Sequence, residues 1–114
     1  VVRLTGMADI YITIRNQDNH ALTSIDGVAF AILIRQNGNA IAQEDVELIH
    51  ADANFDSLPL GQYSVTVKHH QVEPPEATYD LTIEHEDEVI LLIFFYLEPE
   101  RVLLRIQADV EKRL

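Results

Sequence analysis

Three groups of side chains have types and spacings that could do chemistry. Asp52, Asn54 and Asp56 form the D-x-N-x-D opening of a calcium loop. An EF-hand would continue with Gly where Ser57 stands and a bidentate Glu where Tyr63 stands, so the ligand set is incomplete. The expected reading is a solvated strand face opposite Phe55. His69-His70, with His50 and His85, offers imidazoles for a metal. Neighbouring strand residues point to opposite faces, so His69 and His70 cannot both ligate from an undistorted strand. No H-x-x-x-H pair compensates, and ordinary strand-end histidines are expected. Glu84, Glu86, Asp87 and Glu88 could in principle supply a general acid and base. Nothing in the sequence adds an oxyanion donor or a pocket, so they read as a hydrated hairpin tip. Ser24, Ser57 and Ser64 lack a nucleophile-elbow context. Catalytic, cofactor-binding and metal-binding residues are therefore each expected to be none, and the chain is expected not to be an enzyme.

Absent residues exclude further chemistries. The 114 residues contain no cysteine, which removes disulfides, thiol nucleophiles and thiolate metal sites. The four glycines, Gly6, Gly27, Gly38 and Gly61, cannot build a dinucleotide or phosphate-binding loop. Nineteen acidic against eight basic residues give a net charge of −11, which would repel a phosphate backbone or an anionic leaflet. Nucleic-acid partners are excluded on that ground. The longest apolar run, Val89 to Leu97, falls far short of the roughly 20 residues of a membrane-spanning helix, so no membrane insertion is expected. The sequence starts at Val1; Met7-Ala8-Asp9 would make a cytoplasmic start if Met7 were the native initiator.

The elements that must position these groups are strands. Period-two alternation runs through Asp9 to Arg15, with Ile10, Ile12 and Ile14 on one face. After turns at Asn16 to Asn19 and Asp26-Gly27, Val28 to Arg35 is apolar on both faces and reads as a central strand. Asn37-Gly38 suits a two-residue type I′ hairpin that returns the chain through Ala40, Ile41 and Ala42. Strands follow at Val46 to His50 and Asn54 to Leu58. From Gln62 to His70, Tyr63, Val65 and Val67 face inward, with Ser64, Thr66 and Lys68 toward solvent. Pro74-Pro75 breaks the pattern. Thr78 to Glu84 alternates again, and Val89 to Leu97 reads as a second central strand. Beyond Pro99, Val102, Leu104 and Ile106 fit a strand, whereas Leu103, Ile106, Val110 and Leu114 fit a helix. The expectation is a strand through Ile106 with a frayed or helical end. Residues 1–114 thus read as one all-β domain, with its core in 9–97 and an extra strand or helical tail in 98–114. About seven to eight strands make an antiparallel Greek-key β-sandwich.

Phe55-Asp56-Ser57-Leu58-Pro59-Leu60-Gly61-Gln62-Tyr63-Ser64-Val65-Thr66-Val67 resembles the F-x-x-L-P-x-G-x-Y-x-V-x-V signature of prealbumin-like (transthyretin-like) sandwiches. These include Cna-B/SpaA-type repeats and carboxypeptidase-regulatory-like domains. The resemblance spans roughly Ile10 to Leu97 and implies the sandwich fold, with an extracellular or cell-surface setting. Isopeptide-forming members carry a Lys in the first strand, where this chain has Arg15; its lysines are Lys68 and Lys112. The transthyretin-like hydrolases of urate breakdown end in Tyr-Arg-Gly-Ser, and this sequence ends Glu111-Lys112-Arg113-Leu114. Neither activity is implied. The expected function is a non-catalytic module for assembly, adhesion or spacing, as part of a larger protein, with no cofactor. The alternative is an acidic interaction or regulatory domain that acts through an exposed strand edge. Either way the partner is a protein or a second copy of the chain.

Overall fold

A computed structural model describes residues 8–25, 30–47 and 52–112. They form eight strands: β1 (Ala8–Asn16), β2 (Phe30–Gln36), β3 (Asn39–Val46), β4 (Asp52–Leu58), β5 (Gly61–Lys68), β6 (Glu76–Ile83), β7 (Glu88–Leu97) and β8 (Val102–Lys112). Two four-stranded sheets stack face to face, in the orders β4-β1-β7-β8 and β3-β2-β5-β6. The chain changes sheet after β1, β3, β4 and β6, which gives the Greek-key sandwich and the all-β class that the alternation implies. One pairing departs from an all-antiparallel scheme. β1 and β7 run parallel, from Asp9 opposite Val89 to Asn16 opposite Tyr96.

The core is what the alternation demands. Ile10, Ile12 and Ile14 of β1, with Ile90, Leu92, Phe94 and Tyr96 of β7, meet Phe30, Ile32 and Ile34 of β2 and Val65 and Val67 of β5. Each is essentially sealed from water, and burying such a side chain contributes roughly 1.5–3 kcal/mol. β2 and β7 are interior strands of their sheets, as their two apolar faces suggest. Leu33 is buried on the outer face of β2. Thr66 departs from its expected solvent position: it is buried beneath Arg35, whose guanidinium donates to its hydroxyl, and beside Thr78 at 2.8 Å.

Asn37 and Gly38 both take positive φ, 50° and 84°, so the β2–β3 turn has the left-handed pair that type I′ requires. The return strand is longer than expected, because Ala40 to Ala42 and Val46 belong to one strand, β3, with a bulge at Ile41. No separate strand opens at Val46, which closes β3; residues 48–50, like the Asp26-Gly27 turn, Val28 and Met7, lie outside the described residues.

The signature segment is the crossing from β4 to β5. Phe55 and Leu58 point into the core, and Asp9 Oδ1 accepts from the Ser57 amide at 3.1 Å where Ser57 adopts φ 58°. Gly61, at φ 148°, lets the chain enter the opposite sheet. Tyr63 then donates its hydroxyl back to the Pro59 carbonyl at 2.6 Å and pins the crossing. The helical alternative for the tail is corrected. β8 stays extended to Lys112 because Val102 to Lys112 finds a ladder partner along the whole of β7.

Candidate functional site

The groups with chemical potential are dispersed. Asp52, Asn54 and Asp56 lie on the exposed side of β4, with Phe55 buried between them. Asp52 is engaged by β1, accepting from Thr13 Oγ1 at 3.1 Å and from Arg15 Nη2 at 3.3 Å. The histidine geometry corrects the opposite-face expectation. β5 ends at Lys68, so His69 and His70 leave the strand and their rings stack at 5.0 Å, nearly parallel. His69 is buried against Phe30, with ring centroids 4.5 Å apart, and its Nδ1 accepts from the Gln71 amide. His85 is exposed far along the chain, and His50 is outside the described residues. Among the described residues, no three His, Asp or Glu side chains converge as a metal site.

The acidic segment Glu84 to Glu88 is not a hairpin tip. β6 and β7 belong to different sheets, so the segment is a sheet-to-sheet crossing, and Glu88 is buried at the start of β7. Open grooves lie elsewhere among the described residues. One of about 510 Å³ lies over β5 and β6 near the β2–β3 turn, lined by Gln62, Ser64, Asp80 and Thr82. Another, about 480 Å³, borders β1 and β4 beside Tyr11, Asp52 and Asn54. Both exceed the roughly 300 Å³ a small ligand needs. Neither lining contains a histidine, and the first sets one carboxylate, Asp80, among the hydroxyl residues Tyr63, Ser64 and Thr82.

One polar cluster escapes a motif search altogether. The Glu98 carboxylate, between β7 and β8, accepts from the amides of Thr23 and Ser24 at 2.9 and 2.7 Å and from Asn16 Nδ2 at 3.2 Å. Partial burial alone would raise its pKa. The hydrogen bonds from Ser24, Asn16 and Thr23 outweigh burial and hold the carboxyl below its ordinary range. Gln17 adds two bonds to the Glu98 backbone. The result is a clamp that fastens the β1–β2 loop to the β7–β8 turn, a structural device rather than a reactive one. Its residues are some 80 positions apart, so no local pattern announces them. Nearby, burial pushes the Tyr96 hydroxyl well above its usual pKa, and it has no hydrogen-bond partner among the described residues.

The feature that distinguishes one part of the surface from the rest is a strand edge. Each sheet has two edge strands, β4 and β8 in one and β3 and β6 in the other. Every edge presents unpaired backbone donors and acceptors that could accept another strand, except at the start of β8, where the Leu103 amide donates to the Glu73 carbonyl at 2.8 Å. By sequence, β3 carries Glu44 and Asp45, β4 carries Asp52 and Asp56, and β6 carries Glu76 and Asp80, none with a cation on its own strand; Arg15 and Lys68 reach Asp52 and Glu76 from the neighbouring strands. Like charge along an edge discourages strand addition. β8 instead balances Asp109 and Glu111 with Arg105 and Lys112. At 11 residues it is also the longest strand, and Val102, Leu104 and Val110 stand 43%, 46% and 60% exposed. Leu103 and Ile106 pack against the core, whereas Val102, Leu104 and Val110 stay exposed among the described residues.

Comparison with known proteins supports the fold. No family model matches the sequence, and no curated protein matches it. Among solved structures, 5-hydroxyisourate hydrolase of Klebsiella pneumoniae superposes with a TM-score of 0.60 at 13% identity, over 94% of both chains. A candidate cell adhesion protein of Bacteroides uniformis gives 0.56 at 15% identity over 94% of this chain and 50% of its own. One from Bacteroides ovatus gives 0.51 at 9% identity, over 96% of this chain and 46% of its own. This chain therefore has the prealbumin-like, transthyretin-like β-sandwich that its signature segment resembles. It spans about half the length of the two adhesion-type chains. The expectation that the chain is not an enzyme is overturned as an inference from fold, because a hydrolase is built on the same sandwich over nearly its whole length. No helix among the described residues is long and apolar enough to cross a membrane.

Proposed function

We propose that the chain is a protein-interaction module of the assembly or adhesion type, and that it engages its partner by strand addition along the free edge of β8. The observation that carries this reading is the contrast between edges. Three carry carboxylates and no cation of their own, whereas β8 is neutral, long and lined by exposed Val102, Leu104 and Val110. Strand addition gains affinity from backbone hydrogen bonds and specificity from alternate side chains, and β8 offers both. The fold it shares with adhesion-type chains is consistent with such a role.

The test is a titration of isotopically labelled protein, dilute enough to sediment as one chain, with a blocked peptide of alternating apolar and polar residues. Chemical-shift changes are expected along 102–112 and in the facing residues of β7. Changes confined to β3, β4 or β6, or no change at all, would overturn the assignment.

A further inference from the structure

The outer face of the β3-β2-β5-β6 sheet carries a groove in which β8 takes no part. We propose that this groove, over β5 and β6, binds a primary ammonium group, such as the head of a lysine side chain, with Asp80 as its counter-ion. The site is independent of the strand-addition reading.

Register fixes which side chains share the face. Tyr63, Val65 and Val67 turn to the core, so Gln62, Ser64, Thr66 and Lys68 turn outward. β6 sets Thr82, Asp80, Thr78 and Glu76 directly opposite them. Two of these four cross-strand pairs are closed within the protein. The Thr66 and Thr78 hydroxyls bond at 2.8 Å, and Lys68 meets Glu76 at 3.5 Å. The side chains of the pairs Ser64–Asp80 and Gln62–Thr82 make no hydrogen bond to another described residue, and these are the pairs that line the groove of about 510 Å³. Directly opposed residues stand about 5 Å apart and successive residues of one face about 7 Å, so the four frame a patch that one small polar head group fills. The Asn37-Gly38 turn walls one end, held in place by the Asn37 amide, which donates to the Gln62 carbonyl at 3.1 Å.

The chemistry of the lining selects a cation with several donors. Asp80 accepts, the Ser64 and Thr82 hydroxyls accept as readily as they donate, and Gln62 and Asn37 can each present an amide oxygen. No Lys, Arg or His lines the groove. Arg35, in the row of Ser64 and Asp80, turns its guanidinium to Thr66 in the next row, and Lys68 is held by Glu76. An anion finds no counter-charge there, whereas a net charge of −11 draws cations to the surface. One carboxylate is too few for calcium, which takes about six to eight oxygens. A primary ammonium carries three donors around a compact charge, which suits acceptors placed on two strands and a turn. A guanidinium spreads its donors in one plane. Leu81, also in the lining, gives the alkyl stem an apolar surface.

The test is an NMR titration of the isotopically labelled full chain with Nα-acetyl-lysine methylamide at low salt. Shifts are expected at 37–38, 62–64 and 80–82 and not along 102–112, with a dissociation constant on the order of millimolar. Asp80→Asn should weaken binding at least about tenfold, and salt should weaken it several-fold. Asp80 is exposed, and the spectrum of the variant reports its folding directly. Acetylation of the probe at Nε removes its charge and should abolish binding. n-Butylammonium separates two sources of the same head group: equal binding means that any primary amine suffices, weaker binding that the site takes a lysine of a protein partner, and both support the proposal. Binding that survives Asp80→Asn or acetylation, or that is as tight for the arginine derivative, overturns the ammonium assignment. No shift at 62–64 and 80–82 overturns the site. Because β8 lies in the other sheet, either failure leaves the strand-addition reading to its own titration at 102–112.

Discussion

Replacing Glu98 tests whether the clamp between two loops is a significant source of stability. Its carboxylate takes three donors: the amides of Thr23 and Ser24 and the side chain of Asn16. Each charge-assisted bond is worth about 1 kcal/mol once partial solvent exposure is allowed for. Glu98→Ala leaves all three donors to water and should cost about 2 kcal/mol, less than the sum because water reaches Thr23. Glu98→Gln keeps one acceptor oxygen and should cost about 1 kcal/mol. With a urea m-value of about 1.5 kcal/mol/M, the glutamine variant should unfold at a midpoint lower by about 0.7 M at pH 7. The pH dependence has a definite sign. The folded pKa of Glu98 is depressed below 4.5, so its contribution is complete above that value and is lost as pH falls through the folded pKa. The gap between the unaltered chain and Glu98→Gln should therefore close in strong acid, where the protonated carboxyl resembles the amide. Urea melts of both proteins at pH 7 and at successively lower pH measure that gap. A gap that persists unchanged in acid, or is absent at pH 7, refutes the charge-assisted clamp.

Two tyrosines make an internally controlled pair. Tyr63→Phe removes the 2.6 Å bond to the Pro59 carbonyl and should lower unfolding stability by about 1 kcal/mol. Tyr96→Phe removes a buried hydroxyl with no partner among the described residues, so it should be neutral or stabilising in the same melt. At the β2–β3 turn, Gly38→Ala meets no atom within 4 Å, so its cost of about 1 kcal/mol comes from the positive φ alone, and Gly38→Asn should cost less in a parallel melt. Lys68→Ala breaks an exposed 3.5 Å pair with Glu76 and should change stability by less than about 0.5 kcal/mol, a difference that vanishes in high salt.

Much of the sandwich was legible because its strands are half-buried. Ile10-x-Ile12-x-Ile14 and Tyr63-x-Val65-x-Val67 declare one wet and one dry face, and the structure places those faces accordingly. Thr66 was misjudged because its cover comes from Arg35 on a neighbouring strand, which alternation does not encode. The histidine pair was misjudged because β5 ends one residue before it, and face alternation stops with the strand. The Glu98 clamp was invisible for a related reason: its partners become neighbours only once β1 and β7 lie side by side.

By itself the sequence determined which segments are extended, which side of each is buried, and that the surface is acidic, since composition and a period of two are local properties. Tertiary structure alone decided which strands are neighbours, that β1 runs parallel to β7, and that β8 continues to Lys112 at the rim of a sheet. Those facts arise from backbone hydrogen bonds and packing between distant residues, which no window of sequence contains. The neutral stretch from Val102 to Lys112 acquires meaning only there. Glu73 bridges its start at Val102 and Leu103, and beyond them it becomes an unguarded edge because the fold pairs it with β7 on one side only.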